Sequence, residues 1–220
     1  YAVTPKITMV AGSKNFSDSV QFVGSQLNNG DIQVLIDSLN PGSYVLLGNP
    51  YPSAIDFNLF LAENPTINGS LWFWDASPSD KSNSAFAVWN NQGALAVGTS
   101  KKLAPNNQVR AMQGFIVRTN ANIGSYTPQN FLFTNKMRIT ASNSSGGFFK
   151  KNQANQKVYL RLHSAKADNI ALIAIDSNAS YQFDEKDDAT LYRANLYQSF
   201  YSRVNQKHLS IHVSYQHLTL

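Results

Sequence analysis

The stretch that most constrains the fold is Leu46-Leu47-Gly48-Asn49-Pro50-Tyr51-Pro52-Ser53-Ala54-Ile55-Asp56. An apolar run leads into it, and a glycine and two prolines follow at once. Pro50 and Pro52 fix their own φ and push Asn49 and Tyr51 away from helical backbone. The chain must leave a strand here and turn a stiff corner. Tyr51-Pro52 is the better of the two X-Pro bonds for a cis peptide, because an aromatic ring can stack on the pyrrolidine. Such a corner is either a structural keystone or a loop that presents a ligand. It has only Asn49, Tyr51 and Asp56 to offer chemistry, so the keystone reading takes precedence.

Around the corner the chain reads as short strands parted by turn residues. Ala2–Val10 and Ser19–Val23 alternate apolar and polar residues, and Asn28-Asn29-Gly30-Asp31 is a turn that pairs the second of them with Ile32–Ile36 as a hairpin. Ser43–Leu47 is apolar enough for a central strand. Ser53–Glu63 is a helix, capped by Ser53 and ended by Asn64-Pro65, with Ile55, Leu59 and Phe60 at helical spacing. Ser70–Asp75 is an aromatic strand with Leu71 and Phe73 on one face and Trp72 and Trp74 on the other. Ala76–Ser84 and Asn90–Asn107 read as loops, and Ser142–Gly147 as a flexible turn. Val109–Thr119 contains a buried strand at Gly114-Phe115-Ile116-Val117, and Tyr126–Thr134, Met137–Thr140, Lys157–Ser164, Ile170–Ile175, Tyr201–Val204 and Leu209–Val213 are further strands. This spacing predicts an all-β fold: an antiparallel β-sandwich, jelly-roll-like, with one short helix after the proline corner. Residues 1–220 form a single module, with a sub-boundary near 146–156.

LLGNPYPSAIDFNLFL, followed in order by LWFWD, MQGFIVRT, FTNKMR and GGFFK, resembles a module found near the C-terminal end of large secreted and surface proteins of the Bacteroidota. Those proteins usually end in a type IX secretion sorting domain, which this chain does not contain. YAV…VQFVGSQLNNGDIQV resembles the opening of that module. KVYLRLHSA, ALIAI, YQFDEKDDA and HLSIHV resemble its closing strands. The resemblance implies an extracellular or outer-surface location and partners among the other domains of a parent protein. The chain begins at Tyr1, inside the pattern, so the resemblance also implies a fragment whose upstream strands would border Ala2–Val10.

Composition narrows the chemistry. Net charge is +5, but the basic residues are spread along the chain, with Lys150-Lys151 and Lys101-Lys102 the longest clusters. Nucleic-acid binders concentrate such charge on one face, so no nucleic-acid partner is expected. There is no cysteine, which excludes disulfides, thiolate metal sites and a cysteine nucleophile. No apolar run is long enough for a helical membrane span. Only 14% of residues are charged, so solvation is expected to fall to neutral polar side chains, chiefly the 24 Asn and 24 Ser.

The four histidines, His163, His208, His212 and His217, lack a Gly-x-Ser-x-Gly companion and read as exposed strand residues. No enzyme is expected. Oxygen ligands gather at Asp176, Asn178, Asp184, Asp187 and Asp188, where Asp176-x-Asn178-x-Ser180 has the alternation that Ca²⁺ loops use. The sequence lacks the glycine and terminal glutamate of an EF-hand loop. An acidic loop whose carboxylates bond loop backbone is therefore preferred over a Ca²⁺ site, and no other cofactor is implied. Tyr51, Trp72, Trp74, Trp89 and Tyr126 could present flat faces to a glycan or cell-surface ligand, although at least two of the three tryptophans are expected in the core. The sequence thus supports a non-catalytic structural or adhesive module of a bacterial cell-surface or secreted protein. A carbohydrate-binding module is the alternative, and an accessory domain of a secreted hydrolase the third.

Overall fold

The computed structural model describes residues 28–75, 86–97, 104–140, 156–163, 168–192 and 200–214. The first part of the chain gives β1 (Ile32–Leu39), β2 (Tyr44–Gly48), β3 (Ala54–Asp56), α1 (Phe57–Glu63), β4 (Leu71–Trp74), β5 (Phe86–Asn90) and β6 (Gly93–Leu95). Next come β7 (Gln108–Val109), β8 (Gly114–Arg118), β9 (Thr127–Phe133), a 3-10 turn (Asn135–Met137) and β10 (Arg138–Ile139). The last part gives β11 (Gln156–His163), β12 (Asp168–Ile175), β13 (Ala189–Thr190), β14 (Ser202–Val204) and β15 (Lys207–Ser214).

The architecture is an all-β sandwich, as the strand spacing implies. A central sheet of order β2-β8-β4-β5-β6 lies against a second sheet of order β11-β12-β15-β13, with β14 paired to β15. Pairing is antiparallel except between β12 and β15, which run parallel. Two smaller sheets, β1-β9 and β10-β3-β7, complete the described pairing.

The alternation in β4 decides how the layers meet. Leu71 and Phe73 point into a core shared with Val45, Leu47, Phe115 and Val117, closed over by Phe57 and Phe60 of α1 and by Phe131 and Phe133 of β9. Phe60 is the hinge of this aromatic packing, with ring centroids 4.8 Å from Phe133 and 5.6 Å from Phe115. Trp72 points the other way, with Val88 and Leu95, against Leu172, Ala189 and Ile211 of the second sheet. The central sheet is therefore packed on both faces, with α1, the β1-β9 pair and the small β10-β3-β7 sheet on one side and the second sheet on the other.

Several local expectations are corrected. The helix begins at Phe57, not Ser53, because Ala54–Asp56 is held as a strand between β10 and β7. Asp56 is the cap, its carboxylate accepting from the Asn58 N–H at 2.8 Å. Ser53 instead accepts from Arg138 Nε. Asn64 ends the helix as expected. No described peptide bond is cis, so both proline bonds of the corner are trans. β2 is an edge strand of its sheet rather than a central one, since its apolar residues need only one covered face. Within 90–107, Gly93–Leu95 pairs with β5, because the Asn90 side chain accepts from the Gln92 and Gly93 N–H groups and folds a tight turn. Val109–Thr119 holds the strand expected at Gly114–Val117, which is β8, and a turn at 110–113 precedes it, where Met112 has φ 57°. The described partner of β1 is β9, across a long stretch of chain. The alternation of Lys157–Ser164 does not bury an apolar face: Tyr159, Leu160 and Leu162 of β11 are all exposed. The strands Ala2–Val10 and Ser19–Val23, the loop 76–84 and the turn 142–147 lie outside the described residues, as does nearly all of the sub-boundary 146–156.

Candidate functional site

The proline corner is held by one buried side chain. Asn49 Nδ2 donates to the carbonyls of Ser53 at 2.8 Å, Arg110 at 2.9 Å and Val109 at 3.2 Å, and its Oδ1 accepts from the Tyr51 N–H. A single amide thus satisfies backbone groups on both sides of the corner and on the 110–113 turn. Tyr51 is fully buried, donates from its hydroxyl to the Gly30 carbonyl at 2.7 Å, and has the Arg138 guanidinium over its ring at 5.3 Å. Burial raises the Tyr51 pKa. Tyr51 presents no flat face to a ligand, and the keystone role fits its geometry.

The other aromatic candidates separate by face and depth. Trp72 is 1% exposed and belongs to the second core, with Tyr44 packed edge-on at 5.4 Å. Trp89 is half-buried against the first core, edge-on to Phe57. Trp72 and Trp89 are thus the two core tryptophans, and Tyr51 and Trp72 leave the set of stacking surfaces. Trp74, at 69% exposure, and Tyr126, at 76%, remain open. Tyr126 sits in a turn with φ 55°, its N–H bonded to the Asn40 side chain.

Trp74 has particular neighbours. Gly48 pairs directly with Gly114, Trp72 with Ile116, and Trp74 with Phe86. Continuing the β4–β8 register by two residues puts Trp74 beside Gly114. One row across the sheet therefore reads Gly48, Gly114, Trp74, Phe86. The next row begins Leu46, Ile116, Trp72, where Leu46 is 72% exposed. This is the face that the second sheet covers at Trp72, Val88 and Leu95 but leaves open at Gly48, Gly114 and Trp74.

The acidic segment 184–188 clasps the second sheet to the central one. The Asp188 carboxylate accepts from the Val213 N–H at 2.8 Å and the Asp184 N–H at 2.9 Å. Asp187 accepts from Gln92 Nε2 through its side chain and from Asn90 Nδ2 through its carbonyl. Glu185 accepts from the Ala121 N–H with both carboxylate oxygens and lies 3.7 Å from Arg118. Gly69 is required beneath the clasp, since a Cβ there would stand 2.5 Å from the Lys186 carbonyl oxygen. Burial pushes the Asp188 pKa up to about 6, helped by the nearby Asp184 and Asp187 carboxylates and opposed by the two N–H donors. Asp176 and Asp184 each close a local turn, accepting from the N–H groups of Asn178 and Lys186. Among the described residues, no group of three or more His, Asp or Glu side chains is gathered as metal ligands would be.

A family model described as a domain of unknown function (DUF8693) matches residues 3–216. The chain belongs to the DUF8693 family. Neither the curated proteins nor the solved structures contain a match to it. The matched span takes in both sheets and the clasp between them, so the sandwich is one DUF8693 unit.

The histidines of this DUF8693 chain lie apart from the open row. His163 is exposed on β11. His208 stacks with Tyr201 at 4.0 Å, and His212 is half-buried on β15, where burial lowers its pKa. His217 lies outside the described residues. The sequence did not single out Asn90 or the Gly48–Gly114 pair, and it marked Asn64 only as the end of the helix. Asn64 bonds the helix end to both backbone groups of Leu132. Two glycines at the ends of apolar runs are a visible signal, but they read as turn residues until strand pairing sets them opposite each other.

Proposed function

We propose that the chain is a non-catalytic structural and adhesive module of a larger secreted or cell-surface bacterial protein. One observation carries this reading: among the described residues, the carboxylates of the acidic segment and the buried amides are committed to the chain's own structure. Glu185 holds the Ala121 N–H beside the central sheet, Asp188 holds the Asp184 and Val213 N–H groups on the side of the second sheet, and Asn49, Asn64 and Asn90 bridge strands and turns. Such commitments rigidify a unit and favour a load-bearing or ligand-presenting role over one that moves protons. The sparse charge and the likeness to modules of type IX-exported Bacteroidota proteins support an extracellular location, with neighbouring domains of a parent protein as partners.

The test is to incubate the purified chain with ester, glycoside and peptide substrates and, separately, with intact bacterial surface polysaccharide. Retention on the polysaccharide without turnover is expected. Turnover that is lost in His208→Ala or His212→Ala would overturn the non-catalytic reading. Carbohydrate binding stands as the second reading because Trp74 lies exposed on a sheet face rather than in the core.

A further inference from the structure

The geometry points to a neutral-glycan platform on the open half of the central sheet, with Trp74 as the stacking ring and the paired Gly48 and Gly114 as its floor. Gly48 ends β2 and Gly114 begins β8, and paired there they leave a stretch of sheet without side chains, which a flat ligand can approach closely. The fold itself does not require these two. Neither has positive φ. A Cβ at Gly48 would meet nothing within 4 Å, and one at Gly114 would make only ordinary contacts at 3.8 Å, with Leu46 and the Leu47 carbonyl. Gly69 and Gly93 differ, because a Cβ at either would press on the Lys186 backbone or the Leu172 side chain. The open pair is bare where packing would accept a side chain, and it lies beside a tryptophan that is 69% exposed.

Size and charge choose the occupant. The open residues, Gly48, Gly114 and Trp74 with Leu46 beside them, span two strand spacings, about 10 Å, and about 7 Å along the strands. That is on the order of 100 Å², far below the roughly 800 Å² per partner of a standard protein interface. It suits a short oligosaccharide laid flat. Gly48, Gly114, Trp74, Phe86, Leu46 and Ile116 carry no charge, which suits an uncharged sugar whose C–H face stacks on the indole while its hydroxyls stay in water. This inference rests on the adhesive reading above, and the experiment separates the two, since a module can adhere through another surface.

The probes are cello-, xylo-, manno- and chitohexaose, with polygalacturonate as a charged control, titrated against the full chain by calorimetry and tryptophan fluorescence. At least one neutral hexasaccharide is expected to bind better than polygalacturonate and to shift the indole emission. Trp74→Ala should weaken binding about tenfold or more and abolish the emission shift, with Trp74→Phe keeping part of the affinity. Gly114→Val and Gly48→Val should weaken binding about as much while melting no lower than the native chain. A side chain with only a structural effect would not produce that opposition. Native-like binding in Trp74→Ala, or in both valine variants, would overturn the platform while leaving adhesion through another face intact. Binding to none of the hexasaccharides overturns the platform, as does self-association that Trp74→Ala removes, the outcome for a second copy of the chain. Intact-surface retention in the earlier assay then reports separately on adhesion.

Discussion

The two faces of the central sheet are closed by different physics. On the first, α1 and β9 bring phenylalanines onto Leu71 and Phe73, and the seal is apolar packing. On the second, among the described residues, Leu172, Ala189, Ile211 and a few half-buried neighbours meet Trp72, and the hydrogen-bonded segment 184–188 adds to the seal. The difference follows from the covering elements. A helix offers a broad apolar stripe, whereas a second sheet reached through loops must also satisfy the backbone of those loops. The first face is fully closed; the second is closed only as far as the clasp reaches, and Gly48, Gly114 and Trp74 lie beyond it.

The sharpest way to break the comparison is Phe60→Ala. Phe60 is fully buried and touches three other aromatic rings. Its truncation should cost about 3–5 kcal/mol, read by urea unfolding. A loss under about 1 kcal/mol would mean that the first face does not depend on jigsaw packing. Asn49→Ala comes next. It leaves the Ser53, Val109 and Arg110 carbonyls short of a donor and the Tyr51 N–H without its acceptor. A loss of about 3 kcal/mol is expected, and Asn49→Asp should not restore stability, because a carboxylate cannot donate to carbonyls.

The clasp should reveal itself through pH. Asp188 has its folded pKa raised to about 6 from an ordinary 3.8. A raised carboxyl binds its proton more tightly in the folded state, so folding gains from it when protonated. Its contribution is fully present below about pH 3.8 and is lost as pH rises through about 6, a swing of about 3 kcal/mol. Subtracting the stability–pH curve of Asp188→Asn from that of the native chain should leave a term that falls between about pH 4 and 7. A flat difference would show that the two N–H donors offset burial completely. Phe60→Ala on the first face removes no ionisable group, so the same subtraction made with it should leave no such term.

The sequence announced the strands better than their partners. LWFW declares by alternation which residues face which way, but Trp72 and Trp74 share a face, and only the reach of the second sheet decides that the first is buried and the second open. The proline corner was legible as a structural element because two fixed φ angles leave little choice. The pairing of β1 with β9, the parallel pairing of β12 with β15 and the meeting of Gly48 with Gly114 were not legible, since long-range register is set by tertiary packing rather than by local pattern. Asparagine misled most. Its abundance reads as surface solvation, yet Asn49, Asn64 and Asn90 are buried, where each offers a donor and an acceptor to neighbouring backbone. In the acidic loop, composition pointed to carboxylates, and only the fold shows what each of them bonds.

The smallest expected effect concerns calcium, and it sharpens what kind of seal closes the second face. If Asp176, Asn178, Asp184, Asp187 and Asp188 formed a cation site, a ligand present at a hundred times its dissociation constant would add about 2.7 kcal/mol to folding and raise the melting temperature by several degrees. The geometry argues for no shift. Both oxygens of Asp188 accept backbone N–H groups, Asp187 accepts from Gln92, and Asp176 and Asp184 each close their own turn. A Ca²⁺ ion needs six to eight oxygens turned toward one point, and recruiting these would break the bonds that join the sheets. Melting curves with a chelator and with millimolar Ca²⁺ should therefore superimpose. A rise with Ca²⁺ that Asp187→Asn removes would show instead that the clasp is a cation site, and that the second face is sealed by an ion rather than by backbone hydrogen bonds.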